Sequence, residues 1–381
     1  MARFYATCKQ HKSPIKFRFI TATNHSSIKP VAKILKHVFK TIQTTIIKNC
    51  LKKDKYRKDG VKTCIIIDNN NPVRENLFKI NRSGYPAKSI TSFDFDTLYT
   101  SIPHSKLITC IGKLIKEAFE ISLCQYIRVT PKYAYFSNSD RKYSSHKIFK
   151  VEDVIELFKF MINNSYISFN NKVYRQKTGI PMGIDPAPYF ANLFLHYFEF
   201  EFIMYLINSG DVAKARKLAL TSRYLDDLLA LNDENVFQNN YGTIYPDEMK
   251  LSRTDKDGRS ANYLDMNLFI EDNKFLCSKL YDKRHEFPFK VINYPNIKYS
   301  NNPKQPSYGI FTSQLIRVTR TCTSVQDFKV ACERLVNDFV NRGFSGSILK
   351  VYFQKFLDRY HRVWGKFGAI PSAPSAINSN S

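Results

Sequence analysis

Several features that mark other protein classes are lacking in this sequence. None of the eight cysteines forms a C-x-x-C pair or a cluster with zinc spacing, so a structural zinc module is not indicated. No apolar run approaches the roughly 20 residues that a transmembrane helix needs, and the first residues lack a signal peptide's apolar stretch. We therefore expect an intracellular protein with reduced thiols and no membrane partner, without distinguishing nucleus from cytoplasm.

Acidic residues are scarce relative to basic ones. Lys and Arg number 58 against 33 Asp and Glu, which gives a formal net charge of +25. A charge of this size opposes compaction unless a polyanion relieves it, and bound phosphates do so with release of counterions. Nucleic acid is therefore the expected partner, and a merely basic soluble protein is the alternative. Hydrophobic residues make up 43% of the 381, enough for a core in two or three lobes.

Hydrophobic spacing divides the chain into strands and helices. Strands or strand pairs are predicted at 1–22, 64–67, 91–95, 222–231 and 261–282. Helices are predicted near 31–42, 107–115, 151–163, 187–206, 325–339 and 347–363. From about residue 285 onward the pattern is helical, and the tail at 371–381 is expected to be disordered.

Three aspartates stand at predicted strand ends in apolar surroundings: Asp94, Asp226 and Asp227. Burying carboxylates close together is costly unless a cation neutralises them. A pair of divalent ions would do so and would suit phosphoryl transfer, which depends mainly on positioning and charge neutralisation. Taken singly, each motif has a plainer interpretation: the Asp226–Asp227 pair as a solvated turn, and Asp94 as a helix cap.

The order of these motifs resembles that of reverse transcriptases. FDFDTLYTSIP at 93–103 resembles motif A, QKTGIPMGIDPAPYFANL at 176–193 resembles motif B, and YLDD at 224–227 resembles motif C. KQHKSPIKFRFI at 9–20 looks like the fingers motifs, and the stretch at 263–284 looks like motif E. Together the likeness covers about residues 1–360. Within the family, the layout looks closest to Penelope-like retroelements, although no GIY-YIG endonuclease is evident.

The resemblance implies an α+β fold shaped as a right hand. Fingers would occupy 1–90, and an antiparallel-sheet palm 91–284 with a fingers-side insertion at about 105–175. A helical thumb would occupy 285–370. The implied reaction is RNA-directed DNA synthesis for a mobile element, in which a primer 3′-OH attacks a dNTP. The implied cofactor is Mg²⁺, with Mn²⁺ as an alternative, and the implied partners are an RNA template, a DNA or RNA primer and dNTPs.

The resemblance also assigns roles to individual residues. Asp94, Asp226 and Asp227 would be the catalytic acids and metal ligands, joined by the main-chain carbonyl of Phe95. Tyr99 would lie under the sugar and exclude a 2′-OH, the group that separates RNA from DNA building blocks. The remaining expected nucleotide contacts are Arg18, Lys9, Met182 and Gly183.

Three rival functions and one open assignment accompany this prediction. An RNA-dependent RNA polymerase shares the metal chemistry, but Tyr99 argues against it. A telomerase-type enzyme is expected to carry an additional N-terminal RNA-binding domain, which is not evident here. A catalytically dead or domesticated copy would only bind nucleic acid. The general acid for pyrophosphate is left open between Lys250 and Arg253, and either is equally explained as a solvated surface charge.

Overall fold

The computed structural model describes residues 1–10, 14–24, 26–272 and 274–364 as a mixture of helices and sheets. The chain forms two compact units. The first contains residues 1–67 and 93–253, and the second contains residues 68–92 and the chain from 254 onward. The predicted tail at 371–381 lies outside the described residues.

Eleven helices and fourteen strands alternate along the described parts of the chain. The helices are α1 (Lys29–Lys55), α2 (Asn71–Arg82), α3 (Leu98–Ser101), α4 (His104–Ser122), α5 (Val151–Asn163), α6 (Ala187–Asn208), α7 (Val212–Leu218), α8 (Val236–Ile244), α9 (Lys304–Thr321), α10 (Val325–Val340) and α11 (Gly346–Trp364). The strands are β1 (Ala2–Lys9), β2 (Lys16–Ala22), β3 (Ile90–Phe95), β4 (Tyr126–Val129), β5 (Ala134–Ser137), β6 (Lys147–Phe149), β7 (Tyr166–Phe169), β8 (Lys172–Arg175), β9 (Thr221–Tyr224), β10 (Asp227–Leu231), β11 (Leu251–Arg253), β12 (Ser260–Tyr263), β13 (Met266–Ile270) and β14 (Leu276–Leu280).

Four helices of the first unit enclose its core. Helices α1, α4 and α5 each carry apolar residues at helical spacing along one side, and α6 is apolar on nearly all sides, so the four pack together. The centre is aromatic: the ring of Phe39 on α1 lies 5.5 Å from that of Phe158 on α5 and 4.6 Å from that of Phe190 on α6. Burial of these large side chains is the main stabilising term of this unit.

Three sheets flank this helical core. The sheet that matters for function has the strand order β11-β3-β10-β9, and the hairpin β1–β2 extends through β7 to β8 in a second sheet. Strands β5, β4 and β6 form the third. Strand β3 thus lies between β11 and β10, so the FDF segment lies beside the strand that leaves the YLDD turn.

The second unit has its own core. Strands β12, β13 and β14 form an antiparallel sheet, and α9 and α10 pack against β14. Aromatic residues of the three C-terminal helices and their connections fill the interior, with Phe311, Phe339 and Phe344 in edge contacts. Helix α10 begins at Ser324, whose hydroxyl accepts a hydrogen bond from the backbone N–H of Asp327 at 3.0 Å, as an N-cap should.

The structure departs from the sequence-based prediction in three places. Residues 64–67 form an isolated bridge between Ile66 and Arg223 rather than a strand. Helix α1 continues to Lys55, well past the predicted helix near 31–42. The segment 68–92 was assigned with the residues before it, but its helix α2 packs against β14 and α9. The reason is the same in each case: long-range packing decides what local pattern leaves open.

Helix α6 is long and apolar enough, by length and composition, to cross a membrane. Most of it is buried within the first unit, including Phe190, Phe194 and Phe202. Its apolar character is therefore accounted for by its position in the core.

Candidate active site

The backbone brings the first predicted acidic segment against the third motif. The backbone N–H of Phe95 donates to the carbonyl of Asp226, with N and O 3.4 Å apart. On the other side of β3, Asp94 pairs with Ser252 of β11 in an antiparallel register. Asp94 and Asp226, which lie far apart in the sequence, are therefore carried by neighbouring backbone segments of one sheet.

The second acidic segment is a tight hairpin turn. Strands β9 and β10 pair antiparallel from Tyr224 and Asp227, which leaves only Leu225 and Asp226 to reverse the chain. Leu225 has a φ of 55°, in the left-handed region that a bulky side chain rarely occupies. Such strain persists only where the surroundings hold it in place, and it is concentrated at functional sites.

The prediction that the three aspartates are buried is wrong. Asp94 is exposed, and Asp226 and Asp227 are half-buried. Strand alternation explains the difference. Phe93 and Phe95 turn into the core, where Phe95 contacts Tyr245 at 5.1 Å between ring centroids, so Asp94 turns outward. Asp96 is also exposed and accepts a hydrogen bond from the Ser252 hydroxyl at 2.6 Å.

The donor chemistry at this sheet end fits Mg²⁺, although the side chains are not gathered into one cluster. Among the described residues no group of three or more His, Cys, Asp or Glu side chains is placed to hold a metal ion. The predicted ligands are nevertheless all oxygens, which Mg²⁺ prefers, and their exposure leaves room for the waters that Mg²⁺ keeps. The carbonyl of Phe95 accepts from the N–H of Thr97 at 3.0 Å, and a carbonyl oxygen carries two lone pairs.

Tyr99 lies close enough to the YLDD turn to interact electrostatically with Asp226. It stands on α3, directly after the FDFD segment, and is half-buried against the core of the first unit. Burial, together with the negative charge of Asp226, raises the pKa of Tyr99 to about 12. The phenol therefore stays neutral at any working pH, as a steric element beside Asp226 would require.

The loop at 178–183, which carries the second motif, is bound to two other segments. At its start, Ile180 N–H donates to the Tyr99 carbonyl at 2.5 Å, and His104 Nε2 lies 2.8 Å from the Gly179 carbonyl. At its end, the Met182 carbonyl accepts from the N–H of Thr21 at 2.7 Å. The loop thus joins the Tyr99 segment to the end of β2.

Gly183 is required by the close approach of the loop to Thr21. Its φ is 119°, and a Cβ at this position would lie 2.2 Å from the Thr21 carbonyl oxygen. The Thr23 hydroxyl donates to the Gly183 carbonyl at 3.0 Å. The close backbone approach expected of this glycine is thus made to the protein's own chain, and direct nucleotide contacts by Met182 and Gly183 stay predictions.

Comparison with known proteins was informative only at the level of structure. No family model matches the chain, and no curated protein matches it. The telomerase of Candida albicans, solved with a fragment of telomeric RNA, superposes with a TM-score of 0.60 at 12% identity over 99% of this chain. The apo telomerase of Candida tropicalis gives 0.52 at 10% identity, also over 99% of this chain. The fold is that of a reverse-transcriptase-like polymerase.

This chain spans 61% and 63% of those two telomerase chains. At these identities the likeness shows the polymerase fold alone. In this fold the strand β3, which carries the FDFD segment, lies beside the YLDD turn.

The remaining predicted nucleotide contacts of the polymerase fold lie on the hairpin β1–β2. Thr7 pairs with Arg18 and Lys9 with Lys16, so all four side chains share one face of the hairpin with Arg3. Arg18 is exposed and Lys9 is half-buried. The opposite face is aromatic: Phe19 stacks on Phe4 at 5.5 Å between centroids, and Phe17 and Phe19 are about half exposed.

Of the two candidates for the general acid, Lys250 immediately precedes β11 and Arg253 is its last residue. Lys250 is exposed, and its carbonyl accepts from the N–H of Asp96 at 3.0 Å. Arg253 is also exposed, and its guanidinium donates to Gln238 Oε1 at 3.1 Å. The choice between them stays open, as it was from the sequence.

A buried ionic group beneath the turn was missed from the sequence. It consists of Arg223, Glu199, Asn192 and Tyr245, all of them buried. Two signals pointed to it: a glutamate inside the apolar helix α6, and an arginine in the apolar strand before the YLDD turn. Opposite charges inside buried elements are seldom tolerated unless they pair, so their pairing could have been predicted.

Proposed function

We propose that this protein is an RNA-directed DNA polymerase of a mobile element, related to the Penelope-like group that its motifs resemble. The hydrogen bond between Phe95 and Asp226 carries the proposal. It brings the FDFD strand and the YLDD turn together within a fold shared with telomerases. Neither motif alone would suffice, because each short string occurs by chance in other proteins.

In this proposal Asp94, Asp226, Asp227 and the Phe95 carbonyl hold divalent ions, with Mg²⁺ as the physiological metal and Mn²⁺ as a substitute. Two such ions supply activation of a primer 3′-OH and neutralisation of the charge on the departing pyrophosphate. The protein's own contribution is to present the carboxylates at one sheet end and to place the sugar of the incoming nucleotide against Tyr99. Arg18 and Lys9 would bind its phosphates, for which the arginine fork is suited.

We further propose how the observed elements correspond to the parts of a polymerase. The sheet β11-β3-β10-β9 with α6 would be the palm, and the hairpin β1–β2 a part of the fingers. The sheet β12–β14 would be the primer grip, and helices α9–α11 the thumb. The net charge of +25 supports an RNA template and a DNA or RNA primer as partners.

The deciding experiment is primer extension on an RNA template with Mg²⁺ and either dNTPs or rNTPs. We expect extension with dNTPs, and we expect Asp226→Asn to reduce its rate by roughly a thousandfold or more because a metal ligand loses its charge. Asp96→Asn is the matched control. It removes an exposed carboxylate from the FDFD segment, two residues after Asp94, and the variant should keep most of the activity.

Each alternative outcome has a definite meaning. Preferential extension with rNTPs would identify an RNA polymerase instead and would remove the role of Tyr99. Binding of the RNA–DNA duplex by folded protein without any extension would identify a binding protein derived from a polymerase. Equal losses in Asp226→Asn and Asp96→Asn would show that Asp226 is not a metal ligand.

A further inference from the structure

An ionic group fully enclosed by protein lies directly under the YLDD turn. Arg223 is 0% exposed and Glu199 is 3% exposed. Arg223 Nε and Nη2 donate to the two carboxylate oxygens of Glu199 at 2.5 Å and 3.0 Å. The Tyr245 hydroxyl also donates to Glu199, at 2.9 Å. This group, Arg223 with Glu199, Asn192 and Tyr245, is called the buried ionic group below.

The guanidinium of Arg223 has a partner for each of its five N–H donors. Besides the two bonds to Glu199, it donates to Asn192 Oδ1 at 2.8 Å and to the Asn192 carbonyl at 3.2 Å. The fifth bond goes from Nη1 to the carbonyl of Leu225, at 3.1 Å. Leu225 is the strained residue of the turn and immediately precedes Asp226. The buried guanidinium therefore binds the backbone at the point where the chain reverses.

The buried ionic group also contacts the other acidic segment. The Tyr245 ring packs edge-on against Phe95, whose own N–H binds the Asp226 carbonyl. The backbone of Arg223 is fixed separately: its N–H donates to the Ile65 carbonyl at 2.7 Å, and its carbonyl accepts from Ile67 at 2.9 Å. One group of side chains therefore holds both Leu225 and Phe95, the neighbours of Asp226 and Asp94.

Stability alone does not account for such a group. Removing two charges from water costs about as much as their attraction returns, and well-packed apolar residues often serve as well or better. What an apolar pair cannot supply is a directed hydrogen bond to a carbonyl in a strained turn. We propose that Arg223 is a positioning residue: it fixes the Leu225–Asp226 backbone so that the Asp226 carboxylate is set for a divalent ion before substrate arrives. This inference rests on the proposed function.

The test separates positioning from folding by removing the buried charges one at a time and then together. Arg223→Met alone leaves Glu199 buried without its cation, and we expect it to be strongly destabilised. The double variant Arg223→Met with Glu199→Leu removes both charges and should recover most of the thermal stability. It should still lack the bond to Leu225. Arg128→Met is the matched control, because Arg128 is a second buried arginine that binds loop carbonyls, those of Ser139 and Arg141.

Two readouts do not depend on polymerase activity. Hydrogen exchange of peptides covering 222–231 should be at least about tenfold faster in the double variant, since the turn loses its anchor. Mn²⁺ affinity, measured by electron paramagnetic resonance, should fall by a similar factor. Extension should fall roughly a hundredfold, as expected for a misplaced catalytic group. Arg128→Met should change none of the three.

A stable double variant with wild-type exchange in the turn and wild-type Mn²⁺ affinity would overturn the inference, whatever its extension rate. If the double variant does not fold, Arg223→Lys takes its place, because it keeps the charge beside Glu199 but lacks the fork that also reaches Leu225. The same readouts then decide. Absence of extension by the wild-type protein would refute the proposed function, while exchange and Mn²⁺ binding would still judge the role of Arg223.

Discussion

The YLDD turn and the hairpin β1–β2 are held in opposite ways. Beneath the turn, Arg223 uses all five of its donors on protein partners, four of them buried and the fifth the Leu225 carbonyl. The hairpin, which carries Lys9 and Arg18, has cations on one face and half-exposed aromatic rings on the other. The backbone N–H of Thr21 joins it to the second motif, and the hydroxyl of Thr23, just after β2, donates to the same loop.

The difference suggests a division of labour. The groups proposed to hold metal ions need one fixed geometry in every cycle, so enclosing their support in the core is useful. The groups proposed to bind the nucleotide must accept and release a substrate each time, and exposed side chains on a strand pair suit that. The following predictions test the buried side (the YLDD turn and the core beneath it), the exposed side (the hairpin β1–β2), and the loop at 178–183 that connects them.

Gly183→Ala breaks the connection and should have the largest effect on stability. The new Cβ would lie 2.2 Å from the Thr21 carbonyl, at a φ of 119°. Strain and overpacking together should cost about 4 kcal/mol of unfolding free energy, measured by denaturant titration. Gly60→Ala is the control. Gly60 also has a positive φ, 67°, but nothing lies within 4 Å, so about 1 kcal/mol is expected. Equal costs at the two positions would contradict this account of the connection.

Lowering the pH should reduce the free energy of unfolding through His196, which is buried on α6. Burial on α6 lowers the pKa of His196 from 6.5 to about 4. A group with a depressed folded-state pKa stabilises the fold above its unfolded pKa, and this contribution is lost as pH falls from 6.5 to 4. The loss should be about 3 kcal/mol. Denaturant titrations at pH 7 and 4.5 should show it in the wild type and less of it in His196→Gln. The exposed-site control His285→Gln should keep the wild-type pH dependence.

Tyr99 stands between the two sides, beside Asp226 and bonded to the loop at 178–183. Tyr99→Val should reduce the preference for dNTPs over rNTPs about tenfold, because it removes the ring that we propose excludes the 2′-OH. Tyr99→Phe keeps the ring and should keep the preference. Competition assays with matched dNTP and rNTP would measure both, and an unchanged ratio in Tyr99→Val would contradict the predicted role.

Arg18→Ala, on the hairpin, should have the smallest effect. Because the side chain is exposed, the proposed contact with phosphate would be screened by solvent, and KM for dNTP should rise about fivefold with little change in kcat. Arg3→Ala, at the other end of the same face, is the control and should leave KM unchanged. A similar rise in both variants would indicate general charge attraction rather than a nucleotide site.

Much of the fold followed from local pattern. Helix α5 was predicted with its bounds, and the turn between β9 and β10 with both strands, because periodicity and flanking apolar residues determine such elements. The hairpin β13–β14 was also predicted, but its partner β12 was merged into it.

What could not be predicted depended on distant contacts. The sequence of residues 64–67 is typical of a strand, yet the segment forms a single bridge, between Ile66 and Arg223. The exposure of Asp94, by contrast, follows from the alternation of Phe93, Asp94 and Phe95 and could have been predicted. The candidate site was predicted by motif order. The pairing of Arg223 with Glu199 could also have been predicted, but the bond from Arg223 to the Leu225 carbonyl depends on how α6 and β9 pack.

The two-faced hairpin also bears on how the protein behaves in the test tube. Cations lie on one face, and Phe17 and Phe19 are about half exposed on the other, so we expect charge repulsion to oppose the association of two copies through the hairpin. Salt at 1 M shortens the screening length to about 3 Å and strengthens apolar association. We therefore expect the protein free of nucleic acid to become less soluble, not more, as salt is raised during purification.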